Sequence, residues 1–319
     1  MKNKISELPG DATRQYINAR SVFTAYEGAC KKLKEVRGGM IWREQSGSEY
    51  LIRTSVSSAQ KSLGPRSEKT ETIYHDFISR KNMATERIRD LRAELEKQRR
   101  INKALRVGRA PDMLVDILNR LVESGISEYF TVIGTHSLYA YEAAAGIMIH
   151  DPAALATIDV DLLWDVRKRI KFVSRMDDIG TSFLGLLKKI DKTFERRDGQ
   201  LYTAVNSKGF EVDVVRRLKT GDDPHPVRLT DAENELFAVE INRGDSFVNC
   251  PKFTEIIVSE TGKMARMNTV SPNMFVTVKR WLAEQGDRDQ LKKRRDLLQA
   301  DIVEHLIEDY LLGHKESAQ

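Results

Sequence analysis

The sequence predicts an α+β fold: a mixed sheet with flanking helices, preceded by a β-hairpin and a long helical arm and followed by a C-terminal helical region. Three observations carry this. Strand-like and helix-like patterns alternate between Tyr129 and Arg217, the stretch from Glu68 to Arg106 contains neither proline nor glycine, and the tail closes on two helix-length stretches after a pair of short strands. A chain of 319 residues holds one large domain or two to three small ones. We divide it into residues 1–66, 67–110, 111–220 and 221–319.

Each element has its own signal. Ile17 to Lys34 reads as a helix. Met40 to Gln45 and Glu49 to Thr54 flank a Ser-Gly-Ser turn and read as a hairpin, with SLGPRS (Ser62 to Ser67) as loop. Ile73, Phe77, Ile88, Leu91, Leu95 and Leu105 recur at helical spacing with charges between them, which makes a long amphipathic helix, broken at most once. Met113 to Ser124 is a helix with Asp112 near its start. YFTVIGT (Tyr129 to Thr135) is a buried strand running into a glycine, SLYAYEAAAGI a helix and ATIDVDLLW a strand. RIKFV reads as a further strand and Ile179 to Ile190 as a helix. QLYTAVNS and GFEVDVVRR are strands joined by a tight turn at Ser207-Lys208-Gly209. Two short strands, FTEIIVS and MARMNTV, lead to helices at Pro272–Gln285 and at about Arg288–Leu311.

Composition bounds the function classes. Fifty-two basic against 47 acidic residues give a net charge of +5, which permits a polyanionic partner without requiring one. The two cysteines, Cys30 and Cys250, exclude a thiolate metal site and a disulfide framework. The start, MKNKISELPG, has no apolar core of a secretory signal, and the longest apolar stretch is too short for a bilayer. The expected location is cytoplasmic, with no membrane partner. The six histidines lack HExxH spacing, which argues against a zinc enzyme, and neither the GxxxxGK[ST] of a P-loop protein nor a GxGxxG after a strand occurs.

The informative stretch is ATIDVDLLWD. Strand side chains alternate, so Ile158, Val160 and Leu162 point one way and Asp159 and Asp161 the other, about 6.6 Å apart along the strand. At an effective dielectric of 20, such charges repel by about 2.5 kcal/mol. A divalent cation between them reverses the sign, and Mg²⁺ takes oxygen ligands of this kind together with substrate phosphates. Alone, the pair also reads as the wet face of a half-exposed strand. Upstream, a strand running into Gly134 and then a helix presents backbone N–H groups to an anion. Gly134 has no Cβ, and Thr135 or Ser137 can cap the helix or bond a phosphate oxygen. Downstream, Phe210-Glu211-Val212-Asp213-Val214 offers a third carboxylate. Glu211 and Asp213 share a face and pattern does not separate them; Asp213 is preferred because it lies deeper in the apolar run.

In this order, a Gly-Thr turn, an alternating Asp strand and a later acidic strand, the region resembles the polymerase-beta-like nucleotidyltransferases. Within them the chain is similar to a bacterial nucleotidyltransferase-like group that includes relatives of abortive-infection toxins. The matching pieces are GGMIWREQSGSEYL, SLGPRSEKTE, GTHSLYAYEAAAG, TIDVDLLWD and SPNMFVTVKRWLAEQGDRDQLKKRRDLLQA. His136 departs from the small residue that follows the turn in many relatives. The resemblance implies two Mg²⁺ ions held by Asp159, Asp161 and Asp213, an NTP such as ATP as substrate, and transfer of its nucleoside monophosphate to a hydroxyl of RNA, protein or a small molecule. Gly134, Thr135 and Ser137 would meet the phosphates. A tail lysine, Lys279 or more weakly Lys293, would meet the triphosphate. The alternative is a non-catalytic nucleotide- or partner-binding module of the same fold, with oligomer formation through the helical arm. Basic clusters at Arg99–Arg109, Arg167–Lys171 and Arg216–Lys219 read as solvated surface or, if they share a face, as a nucleic-acid track. Trp42 and Tyr50 read as hairpin packing rather than a stacking platform.

Overall fold

Residue patterning and fold meet first at the hairpin. A computed structural model describes residues 4–56 and 58–311, and the chain divides into two units, Arg14–Ala104 and the remainder. The described chain begins with β1 (Ile5–Glu7) and α1 (Gly10–Glu35). In the Arg14–Ala104 unit, β2 (Gly39–Gln45) and β3 (Ser48–Thr54) pair antiparallel around Ser46 and Gly47. Both turn residues have positive φ, at 52° and 76°, the backbone of a two-residue turn whose twist matches the strands. The segment expected as loop after it is a third strand, β4 (Gln60–Pro65), paired to β3 across a register shift at Leu51/Ile52. Pro65 closes this edge strand, where its missing N–H interrupts no ladder.

α2 (Glu68–Ala104) runs 37 residues without a break, about 55 Å at 1.5 Å per residue. Ala29 on α1 clusters with Ile88 and Leu91 on α2. Further along, Gln15 Nε2 donates to Gln98 Oε1 (2.7 Å) and Asn102 Oδ1 (2.9 Å). The helices therefore pair antiparallel, with an apolar contact toward one end and a buried amide network toward the other. Trp42 packs 5.8 Å from Tyr74, with the Arg66 guanidinium 5.1 Å from its ring, which favours packing over an open stacking platform.

The second unit carries α3 (Asp112–Glu123), β5 (Phe130–Ile133), α4 (Leu138–Ala145), β6 (Ile147–Ile149), α5 (Pro152–Leu155) and β7 (Asp159–Trp164). Then come α6 (Arg169–Ile179), α7 (Phe183–Lys188), β8 (Glu195–Arg197), β9 (Gln200–Val205), β10 (Glu211–Arg216), β11 (Val227–Arg228) and β12 (Phe237–Glu240). α8 (Gly244–Asn249), β13 (Lys252–Val258), β14 (Met264–Val270), α9 (Pro272–Glu284) and α10 (Gln290–Asp309) complete it. The main sheet has the order β11-β12-β10-β7-β5-β14-β13, with β9 beside the first half of β10 and β8 beyond β9; β1 pairs with β6 apart from it. β7–β10 and β5–β14 are parallel pairs and β5–β7 is antiparallel, so the sheet is mixed as expected.

RIKFV, expected as a strand, is the first turn and a half of α6. Phe172 and Met176, four apart, are both buried while Ile170 is 83% exposed, a helical and not a two-residue period. Gly180 ends this helix in the left-handed conformation (φ 67°), so the helix expected from Ile179 begins only at Phe183. Ser271 caps α9 ahead of Pro272, and Asp289 caps α10 by accepting from Leu291 N (2.9 Å) and Lys292 N (3.1 Å). No helix among the described residues is long and apolar enough to cross a membrane.

The fully buried Glu235 secures the short helix α7. It accepts hydrogen bonds from Phe183 N (2.7 Å), Leu184 N (3.1 Å), Leu236 N (2.9 Å) and Thr230 Oγ1 (2.7 Å). Glu235→Ala leaves these donors buried without an acceptor and is expected to lower unfolding free energy by about 2–4 kcal/mol; urea denaturation followed by circular dichroism measures it, with Glu235→Gln losing less.

Candidate active site

Strand register builds the site. In the parallel pair, Asp159 lies opposite Glu211 and Asp161 opposite Asp213. All four carboxylates therefore share one face of the sheet, while Val160, Leu162, Val212 and Val214 fill the core on the other. Ile158 does not join them: it precedes the strand and is 61% exposed.

Three of the four carboxylates converge. Oxygens of Asp159, Asp161 and Asp213, each side chain partly buried, all lie within 4.8 Å of one another. Glu211 turns to Arg197, with Arg197 Nη1 donating to Oε2 at 2.9 Å and Nη2 to Oε1. The choice between Glu211 and Asp213 that the pattern leaves open thus falls on Asp213 in space. Two threonines orient the cluster: Thr157 donates to Asp159 Oδ1, and Thr203 donates to Asp213 Oδ1 at 2.6 Å. Neither had been singled out. Thr203 was within reach, because the Ser207-Lys208-Gly209 turn sets the register that puts it opposite Asp213.

Gly134 has φ 73° and passes so close to Asp161 that a Cβ there would sit 2.5 Å from Oδ2. The glycine is required both by the left-handed backbone and by the carboxylate packed on it. Residues Gly134–Ser137 form a 3-10 turn leading into α4. The turn hydroxyls point into packing: Thr135 Oγ1 accepts from Gln299 Nε2 (3.1 Å), and the fully buried Ser137 accepts from Thr269 Oγ1 (2.7 Å). His136 is 1% exposed, its ring beside Tyr139 and Phe210, and neither ring nitrogen has a hydrogen-bond partner among the described residues. Burial pushes it down to about 4, so the ring is neutral.

The tail helices close over the same region. Lys279 on α9 is buried and bonded to Asp296 Oδ1 at 2.8 Å; Arg288 binds the other oxygen of Asp296 at 2.8 Å. Arg295 donates through Nη1 to Ala156 O at 2.7 Å, and Gln299 Nε2 also reaches Ala154 O at 2.6 Å. Lys293 is half-exposed on α10 and forms no ion pair among the described residues. Arg295, Asp296 and Gln299 were not singled out. The signal was present in Asp296, a charged residue in line with Ala300 and Val303 on the buried stripe of α10.

Crowding shows in the protonation balance. Burial, then the charges of Asp159 and Asp213, push Asp161 up to about 7, against the opposing pull of Lys279 and Arg295. Burial also raises Asp213, while the Thr203 hydrogen bond lowers it. An all-oxygen set of three mutually repelling carboxylates fits a hard divalent cation, whose charge offsets the repulsion. Much of the basic sequence is committed elsewhere. Arg216 is fully buried against Glu240 (2.9 Å), Arg217 binds Asp223 (2.6 Å), Arg109 binds Glu142, and Arg167 binds Asp165 (2.8 Å). Arg216 and Arg217 are buried braces, while Arg109 and Arg167 are partly exposed but held in ion pairs.

Two outcomes follow from this geometry. Gly134→Ala displaces Asp161 and is expected to weaken Mn²⁺ binding, read by titration calorimetry, by about tenfold or more. Asp161 keeps its proton in the fold up to about pH 7, whereas the unfolded chain releases it near pH 4. Between those values stability therefore falls as pH rises. Metal-free Asp161→Asn is expected to melt about 3–6 °C above the parent at pH 8 and level with it near pH 4, as measured by differential scanning calorimetry.

No curated protein and no solved structure matches the chain. A family model described as nucleotidyltransferase matches residues 112–319, more than half of the chain. That span contains the glycine turn, all three converging aspartates and both tail helices, and the chain belongs to this nucleotidyltransferase family.

Proposed function

We propose that the protein is a magnesium-dependent nucleotidyltransferase that moves a nucleoside monophosphate from an NTP, ATP among them, to a hydroxyl acceptor with release of pyrophosphate. The observation that carries this reading is the convergence of Asp159, Asp161 and Asp213 within 4.8 Å beside the Gly134 turn, in a chain of that family. Asp159, Asp161 and Asp213 would hold two Mg²⁺ ions. Bound there, the ions would supply charge stabilisation for the attacking and leaving oxygens of an in-line displacement.

The chain's own groups do the rest. Asp213, held by the Thr203 hydroxyl, takes the acceptor proton as the new oxygen–phosphorus bond forms at the α-phosphate and the bond to the β-phosphate breaks. Gly134 and Thr135 offer backbone N–H groups to the phosphates at the mouth of a helical turn, and Ser137 fixes that turn through Thr269. The buried Lys279 ammonium adds positive charge close to Asp161. The resemblance to abortive-infection toxins supports an RNA or protein acceptor over a small molecule, in the cytoplasm where NTP and Mg²⁺ are abundant.

Incubation with α-³²P-labelled ATP, GTP, CTP and UTP, Mg²⁺ and total RNA or lysate tests this. Label is expected in one macromolecular fraction. Asp159→Ala, Asp161→Ala and Asp213→Ala are each expected to reduce it by about 100-fold or more. Absence of label, with Mg²⁺–nucleotide binding unchanged in the Asp159→Ala, Asp161→Ala double variant, would instead favour a non-catalytic module.

A further inference from the structure

We infer that one flank of the long helix α2 docks the phosphate backbone of RNA, and that the RNA held there is the acceptor; the acceptor role rests on the nucleotidyl-transfer reading above. Charge is divided unevenly between the two units. Arg14–Ala104 holds 20 basic and 11 acidic residues, a net charge of +9, whereas the rest of the chain holds 32 basic and 36 acidic residues, a net charge of −4. The mildly basic total conceals a strongly basic arm, an asymmetry that suits a polyanionic partner.

Within the arm the charge is sorted by face. At about 100° per residue, Arg89, Arg92, Glu96, Arg99, Arg100 and Lys103 fill one arc of α2 about 100° wide. This arc lies beside the buried stripe of Ile88, Leu91, Gln98 and Asn102. Five of its six residues are cations, while the opposite flank gathers Glu86, Asp90 and Glu94 with Arg87 and Lys97. A merely solvated helix face gains from alternating signs, because like charges three or four residues apart weaken a helix. α2 instead sets Arg89 beside Arg92, and both Arg99 and Arg100 beside Lys103. The Arg89 side chain is 74% exposed. Arg100 and Lys103 are exposed and form no ion pair among the described residues. Arg99 meets Glu96 at 3.5 Å.

The five cations run about 21 Å along the helix axis, the form of a track and not of a single-ion pocket. No large apolar side chain between residues 89 and 103 is exposed. The flank therefore lacks the apolar face with which a helix enters a lipid surface, and the aromatic or aliphatic anchors that centre a protein interface. Cations in a row without such anchors match a repeating phosphate backbone, held without reading its sequence.

Fluorescence anisotropy of the full chain with a labelled RNA hairpin of about 20 base pairs, in EDTA and without nucleotide, tests the docking. Affinity is expected to fall with salt at a log–log slope of about −4. The triple variant Arg89→Ala, Arg100→Ala, Lys103→Ala is expected to bind about tenfold or more weakly and to flatten that slope by about 2 to 3. The charge-matched triple variant Arg80→Ala, Arg87→Ala, Lys97→Ala, drawn from outside the arc, is expected to stay within about threefold of the parent. Unchanged RNA binding by the flank variant, equal losses in the two variants, or no RNA binding by the parent overturns the inference. Tighter flank-dependent binding of polyglutamate or of phosphatidylserine–phosphatidylcholine vesicles than of RNA also overturns it. Labelling from α-³²P-NTPs then tests the acceptor role: RNA labelling is expected to fall about tenfold in the flank variant, with Mn²⁺ binding unchanged. Full RNA labelling by the flank variant, or label in protein alone, overturns the acceptor role and leaves the transfer reading intact. A parent that binds RNA through the flank but labels no fraction sinks the transfer reading, and the acceptor role with it, while the docking surface stands.

Discussion

The parallel pairing of β7 with β10 is the constraint on which the site depends. Its register sets Asp161 beside Asp213 and Asp159 beside Glu211, and a slip of one residue by either strand would turn that strand's two carboxylates toward the core. The buried valines and leucines on the opposite face make such a slip prohibitive. Hydrophobic burial, the dominant favourable term in folding, is thereby used to hold like charges together. The crowding it enforces is visible in the raised Asp161 and Asp213 carboxyls.

A second layer of order comes from the tail. α9 and α10 bring the buried Lys279–Asp296 pair to the same region, with the partly exposed Arg288 joining from the loop between them, and Gln299 ties α10 to the glycine turn. Ionised groups at such depth are stabilising only when mutually satisfied. Asp296 meets that condition by accepting from both cations. The tail helices, distant in sequence from the aspartates, therefore define the wall of the site instead of serving as an appendage.

Much of this was legible in the residues. The mixed sheet, the uninterrupted arm helix and the tail helices followed from periodicity, from the absence of proline and glycine, and from capping residues such as Ser271 and Asp289. The alternating aspartates marked the site because a strand offers them one face. What the sequence withheld was partnership across long separations. Locally, only a deeper place in the apolar run favours Asp213 over Glu211, until Arg197 is seen to claim Glu211. Nothing in Lys292-Lys293-Arg294-Arg295 distinguishes Arg295 from its neighbours until Ala156 is seen to anchor it. The misread RIKFV segment shows the opposite error, in which a short apolar run was given a two-residue period although Phe172 and Met176 already supplied a four-residue one.

The Arg197–Glu211 pair has a bearing on traffic into the site. Without its guanidinium, the sheet would turn four negative groups toward arriving molecules, and phosphate-bearing reactants would face a repulsive wall before any cation contact drew them in. The pair is neutral as a unit, so Glu211 adds no net charge beside Asp213. An arriving phosphate would then meet the field of three carboxylates and not of four.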